Sequence, residues 1–145
     1  MSKMKIELPE PLPYSAELPV RITDVNYGGH LGNDALVSLL HEARVAFLGH
    51  HGFSEGDCGG AGIVVSELEI AYRAEAFYGD VLSIAVGVGA IGRSRADLFY
   101  RVERSADARE IARARTTIAF FDYAARRPRR TPERFLDTFC ARSSA

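Results

Sequence analysis

The period of the hydrophobic pattern changes once along this chain, and that change restricts the fold more than any other feature. Leu36, Leu39, Leu40, Ala43 and Phe47 recur at i, i+3, i+4, i+7 and i+11, one apolar stripe on a helix. Asn33 is a candidate N-cap, and Asp34 adds negative charge in the first turn, where the helix dipole favours it. Gly49 and Gly52 close the helix after about 16 residues, or about 24 Å. After a glycine-rich loop over residues 54–62, the period is two. Val64, Ser66, Leu68, Ile70 and Tyr72 alternate with Val65, Glu67, Glu69, Ala71 and Arg73. Strands follow at 81–90, 95–104 and 111–122, joined by turns at Gly79-Asp80, Gly92-Arg93-Ser94 and Asp107-Ala108.

An earlier strand is expected over Tyr14 to Thr23, with Pro19 marking an edge or a bulge. The order is strand, one long helix, then four strands in short hairpins. That pattern predicts an α+β domain with a five-stranded antiparallel sheet and the helix on one face. The sheet's other face and edges favour self-association. Residues 1–13 hold three of the six prolines and read as an extended lead-in. The domain is expected over 14–135, with a C-terminal tail over 136–145.

Bulk properties exclude several classes. Charged residues make up 26% and the net charge is -1, so no global field draws nucleic acid or an acidic membrane. No apolar run reaches spanning length, and Met1 to Pro13 lacks the core of a signal peptide, which argues for the cytoplasm. The two cysteines, Cys58 and Cys140, have no metal or disulfide spacing and read as free thiols. His41, His50 and His51 do not form a ligand set, so no metal is expected. No G-x-S-x-G nucleophile elbow occurs.

The run Arg21-Ile22-Thr23-Asp24-Val25-Asn26-Tyr27-Gly28-Gly29-His30-Leu31-Gly32-Asn33 resembles the R-x-x-D-x-D-x-x-G-H-x-x-N signature of hotdog acyl-CoA thioesterases of the 4-hydroxybenzoyl-CoA thioesterase type. The helix with Glu42-Ala43-Arg44, the strand Glu67 to Tyr72, the turn at Gly79-Asp80 and the run from Ala114 to Glu133 resemble later landmarks of that family. The resemblance covers roughly residues 14–135. It implies a hotdog fold, one long helix wrapped by the sheet, and a homodimer whose sheets join, with a tetramer also open. It implies an acyl thioester of coenzyme A as substrate, or one of acyl carrier protein, and no cofactor.

Thioester hydrolysis needs donors for the developing oxyanion and an activated nucleophile. A helix N-terminus offers free N–H groups, here near Gly32, Asn33 and Asp34, with Gly29 and Gly32 letting the thioester approach the backbone. The plain alternative is that these glycines only make a tight turn. Aligned on His30, the family's catalytic aspartate falls at Asn26. An amide is no base, although it can orient water or bond the carbonyl. In another hotdog branch the carboxylate lies on the helix nine residues beyond the histidine, and here that residue is Leu39.

The candidate catalytic set is therefore Asn26, His30, Asp34 and Glu42. Asp24 reads as a turn-holding residue and Glu67 as the wet side of a strand. Gly29, Gly32, Asn33 and Arg93 are the candidate substrate-binding residues, Arg93 for the phosphates of coenzyme A. The segment Arg126-Arg127-Pro128-Arg129-Arg130 could do the same, or be a solvated tail.

Three functions compete. The first is an acyl-CoA thioesterase. The second is a non-catalytic acyl-CoA or acyl-carrier binding module, favoured by Asn26. The third, a hotdog dehydratase, ranks last, because His30 lacks the proline-rich H-x-F-P-x-x-P-x-x-P-G context.

Overall fold

A computed structural model describes residues 5–143. The elements are β1 (Tyr14–Pro19), a 3-10 turn (Ile22–Asp24), α1 (Asn33–His50), β2 (Gly62–Tyr72), β3 (Val81–Ile91), β4 (Arg95–Arg104), β5 (Glu110–Asp122), β6 (Arg127–Pro128) and α2 (Glu133–Ser143). All strand pairs are antiparallel, in the order β1-β3-β4-β5-β2, with β6 on β5. This is the expected hotdog arrangement, with a two-residue sixth strand added. Among the described residues, no helix is long and apolar enough to cross a membrane.

The stripe of α1 drives the packing. Leu36, Leu39, Leu40, Ala43 and Phe47 are all buried. They face Ile84 and Val86 of β3, Leu98 and Tyr100 of β4, and Ile118 and Phe120 of β5, all inaccessible to solvent. Gly32, not Asn33, is the N-cap, so Asn33 is the first helical residue. A side chain at 32 would meet Asp34 Oδ1 at 2.9 Å, which explains why the cap is the residue without one. The helix runs on through Gly49 and stops where Gly52 takes a left-handed φ of 82°, with the Phe53 N–H returning to the Leu48 carbonyl.

Three expectations change. The first strand ends at Pro19, not Thr23, because Asp24 accepts hydrogen bonds from the Arg21 backbone and guanidinium and winds 22–24 into a 3-10 turn. The strict alternation of β2 breaks at Ser66, where a bulge shifts the register. Val65 pairs with inward-facing Ile118 and Leu68 with inward-facing Thr116, so both point to the helix side. Much of the C-terminal tail is α2, whose Phe135 is fully buried. Phe135 and Phe139 close an aromatic cluster with Phe47, Phe53 and Phe120 over the end of the core.

The lead-in crosses the outer face of the sheet. Leu12 and Pro13 lie over Gly87, where a Cβ would stand 2.8 Å from Leu12 Cδ2. Glu10 pairs with Arg101 and the Ile6 carbonyl accepts from Arg113.

One polar network penetrates the core. Buried Arg44 donates to Glu55 at 2.8 Å and to the Tyr100 hydroxyl at 3.3 Å, and Tyr100 shares a 2.8 Å bond with Thr116. Glu55 also bonds His41 at 2.8 Å. The loop after α1 is thereby tied back along the helix.

Candidate active site

Two loops meet at the start of α1. One is the turn over residues 25–32. The other is the β2–β3 connection over residues 73–80. The Leu31 N–H donates to the Ala76 carbonyl at 2.7 Å, and His30 and Phe77 form an antiparallel bridge.

The first loop is a hairpin closed by the Val25–Leu31 bridge and by the Asn26 N–H on the His30 carbonyl at 2.9 Å. At its tip the Gly29 N–H reaches the Asn26 carbonyl, and Gly29 has a φ of 81°, which a side chain would strain. Asn26 Oδ1 accepts the Gly28 N–H at 2.9 Å. One lone pair of the amide oxygen thus holds the turn, and the exposed amide keeps its NH₂ for a ligand.

The His30 ring and Asn26 Oδ1 both lie within 3.3 Å of the point where a Gly28 Cβ would be. The turn therefore places both side chains beside Gly28. His30 Nδ1 lies 3.2 Å from the Leu31 carbonyl. A carbonyl only accepts, so Nδ1 carries the proton, and in the neutral ring Nε2 presents a lone pair.

Below the turn, α1 begins. The Gly32 N–H is used by the Asp24 carbonyl, and Gly32 has no side chain to cap the next N–H groups. The N–H groups of Asn33, Asp34 and Ala35 have no acceptor one turn back within the helix, and the dipole makes this end positive. A pocket of about 290 Å³ opens beside them, with His30, Asn33, Tyr72 and Glu75 on its rim and Leu31, Leu36, Ala76 and Ile111 in its wall.

The Asp24 carboxyl is buried and paired bidentately with Arg21 at 3.1 Å. Hydrogen bonding from the Arg21 side chain outweighs burial and holds this carboxyl below the usual carboxylate range. With both oxygens engaged, Asp24 organises the turn.

Asn26, Gly29, His30, Gly32, Asn33 and Asp34 lie on the turn and the start of α1, and of these His30 and Asn33 line the pocket, whereas Glu42 and Arg93 lie elsewhere. Glu42 lies about 13 Å further along the helix. It lines a different groove, of about 460 Å³, with Arg21, Ser38 and His41. Arg93 lies in the β3–β4 turn, separated from the β2–β3 loop by the whole length of β3, and its carbonyl accepts the Thr131 N–H.

Sequence reasoning missed Glu75. Its Oε2 lies 3.7 Å from His30 Nε2, on the rim of the same pocket. The available signal was a carboxylate in the short stretch between the last alternating residue of β2 and the Gly79-Asp80 turn, off the strand pattern.

Solved structures share this fold. A 1,4-dihydroxy-2-naphthoyl-CoA thioesterase from Synechocystis is similar at 20% identity and a TM-score of 0.79, over 88% of this chain and 95% of that one. A DHNA-CoA thioesterase from Staphylococcus aureus is similar at 20% identity and a TM-score of 0.77, over 90% and 88%. A further Staphylococcus aureus protein, solved in complex with CoA, is similar at 18% identity and a TM-score of 0.77, over 88% and 81%. At these identities the likeness is one of fold. No curated protein matches the sequence. The family model of the thioesterase-like superfamily matches residues 20–139, from the end of β1 through the turn, the helix and the sheet into α2. On that match the chain belongs to the thioesterase-like superfamily.

Proposed function

We propose that the protein hydrolyses an acyl-CoA thioester to the free acid and CoA, using the pocket at the start of α1. The observation that carries this reading is the convergence of the His30 Nε2 lone pair and the uncapped helix N-terminus on one pocket. The thioester carbonyl oxygen accepts from the N–H groups around Asn33 and Asp34, where the transition-state charge develops. Gly29 and Gly32 add no side chains of their own to the approach, and Asn26 lies beside Gly32. Asp34 lies at the first turn, on the same side as Gly32. A water, fixed N–H groups and side chains suffice, so the reaction needs no cofactor or metal. The CoA complex and the CoA thioesterases among the relatives support this substrate class.

Release of free thiol from short, long and aromatic acyl-CoAs tests the reading. Turnover of at least one of them above the uncatalysed rate is expected, and no turnover of any would overturn it. One observation favours a second reading, a non-catalytic acyl-CoA binding module: the family's aspartate is Asn26, whose amide is no base and holds the turn through Gly28. Thermal stabilisation by acyl-CoA without thiol release would decide for that reading.

The working unit we infer is a homodimer joined through β2. This strand is a sheet edge, and the bulge at Ser66 turns Val65 and Leu68 to the helix side, where α1 leaves them about 43% and 42% exposed. Tyr72, at the pocket rim, is 49% exposed on the same side. A second copy related by a two-fold axis covers these groups and satisfies the edge. Such pairing turns the second copy end for end along β2. The end of its sheet that carries Arg93 then comes toward the first copy's α1 N-terminus, which supports Arg93 as a phosphate contact supplied across the dimer. Leu68→Asp is expected to yield a monomer by analytical ultracentrifugation, with at least a tenfold loss of turnover. A Leu68→Asp protein that remains fully dimeric contradicts this interface.

A further inference from the structure

We propose that Glu75 is the catalytic carboxylate of this site, taking the part that Asn26 cannot, and that it holds the attacking water jointly with His30. The proposal rests on the thioesterase reading above.

The other nearby carboxylates are committed or misplaced. Both oxygens of Asp24 are bound by Arg21. Asp34 Oδ1 lies back against Gly32, on the helix itself. Glu42 lines a separate groove. Glu75 alone among these four faces His30 across the pocket, with Oε2 at 3.7 Å from Nε2.

The loop that carries it is fixed on both sides. Arg104 donates to the Glu75 carbonyl at 3.2 Å and to Asp80 Oδ2 at 3.2 Å. The same Asp80 oxygen accepts the Phe77 N–H at 2.8 Å. Ala76, next to Glu75, accepts the Leu31 N–H, and Phe77 bridges to His30. The backbone at 75 is therefore locked to the backbone at 30, while the Glu75 side chain stays 63% exposed and open to a ligand.

The protonation pattern defines the chemistry. Nδ1–H of His30 donates to the Leu31 carbonyl, so in the neutral ring Nε2 and Glu75 Oε2 are two acceptors facing one another at 3.7 Å. A water beside them gives one hydrogen to each, and its own lone pair is left for the thioester carbon. As the O–C bond forms, one proton passes to Nε2 and the carbonyl π electrons move onto oxygen, under the helix N–H groups. Collapse breaks the C–S bond. The sulfur leaves with the bonding pair and takes the proton from Nε2. Thioester and water become acid and thiol, with no other reactant. Glu75 remains ionised and offsets the imidazolium charge that exists between the two transfers.

A solvent-exposed His–Glu contact can also be an ordinary surface pair with little energetic effect, and kinetics separates the two. Glu75→Gln keeps the shape and removes the charge. With the acyl-CoA that the wild type turns over fastest, it is expected to lower kcat by about 100-fold or more, with KM within about threefold. Glu75→Asp is expected to retain part of the rate. Glu75→Ala is expected to regain at least about tenfold in kcat on adding formate, a small carboxylate that occupies the vacated position. The melting temperatures of the three variants should stay close to that of the wild type, because the side chain is exposed.

A Glu75→Gln rate within threefold of the wild type overturns the proposal and leaves the thioesterase reading standing. So does a fall in kcat that formate does not restore. A wild type inactive on every acyl-CoA overturns both.

Discussion

His30→Ala is expected to lower kcat for thioester hydrolysis by about 100- to 10,000-fold, the range over which a positioned acid–base group acts. KM should change little. The helix N-terminus, Gly32 and the pocket wall remain, and these supply ground-state binding and the oxyanion donors. Residual hydrolysis above the uncatalysed rate should therefore persist in the variant. The fold should persist too, because the only hydrogen bond its ring makes among the described residues is to the carbonyl of its own neighbour, Leu31. His30→Gln offers a sharper contrast. It keeps a polar group of similar reach but supplies no base, so its kcat should resemble that of His30→Ala. Steady-state thiol release by the three proteins checks this, and a His30→Ala rate equal to wild type removes the imidazole from the mechanism.

The second large effect concerns stability. Arg44 is buried between α1 and the sheet, where it holds Glu55 and the hydroxyl of the fully buried Tyr100. Arg44→Ala leaves the Glu55 carboxylate with His41 alone and opens a cavity over Tyr100. Breaking a buried pair costs about 3–5 kcal/mol, and because Glu55 is 31% exposed the loss expected here is about 2–4 kcal/mol. For a chain of this length that lowers Tm by about 5–15 °C. Arg44→Met fills the space without a charge and should recover part of the loss.

The same pair has a pH signature. Burial pushes the Glu55 carboxyl up, but hydrogen bonds from Arg44 and His41 outweigh it and leave the group below its ordinary value. A lowered carboxylate stabilises the fold above its unfolded value, about 4.3, and that contribution disappears as the pH falls through the folded value. The Tm difference between wild type and Glu55→Gln is therefore expected to be full at pH 7 and to shrink below about pH 4. A difference that widens on acidification would contradict the sign.

What the sequence revealed, and what it hid, follows the range of the interactions involved. The stripe from Leu36 to Phe47 needs only helical geometry, so α1 was legible, as were the turns at Gly79-Asp80 and Gly92-Arg93-Ser94. The run from Asn26 to Asp34 is local as well, and it forms one turn leading into the start of α1, with His30 and Asn33 on the pocket. The bulge at Ser66 was not legible, because nothing local distinguishes Ser66 from its neighbours and the register is set by pairing with Ile118 and Thr117. Helical spacing alone puts Arg44 outside the stripe of Leu36, Leu39, Leu40, Ala43 and Phe47. The burial of Arg44 depends on Tyr100 and Glu55, two partners distant in sequence. The Phe135 and Phe139 pair at i, i+4 is a helix signal that the surrounding arginines and prolines obscured. Glu75 belongs to no motif of the helix or the turn. It reaches the site only because the β2–β3 loop folds onto the His30 turn, with Arg104 holding its carbonyl from a third element.

The central claim is that thioester chemistry occurs between the His30 turn and the start of α1. A crystal structure with a non-hydrolysable thioether analogue of the best acyl-CoA substrate tests it most directly. The analogue's acyl end is expected in the pocket walled by Leu36, Ala76 and Ile111. Its reacting carbon is expected to face His30 Nε2 and Glu75, with the N–H groups of Asn33 and Asp34 about 3 Å from the position of the thioester oxygen. An analogue bound instead in the groove beside Glu42 and Arg21, with its reacting carbon remote from His30, would contradict it.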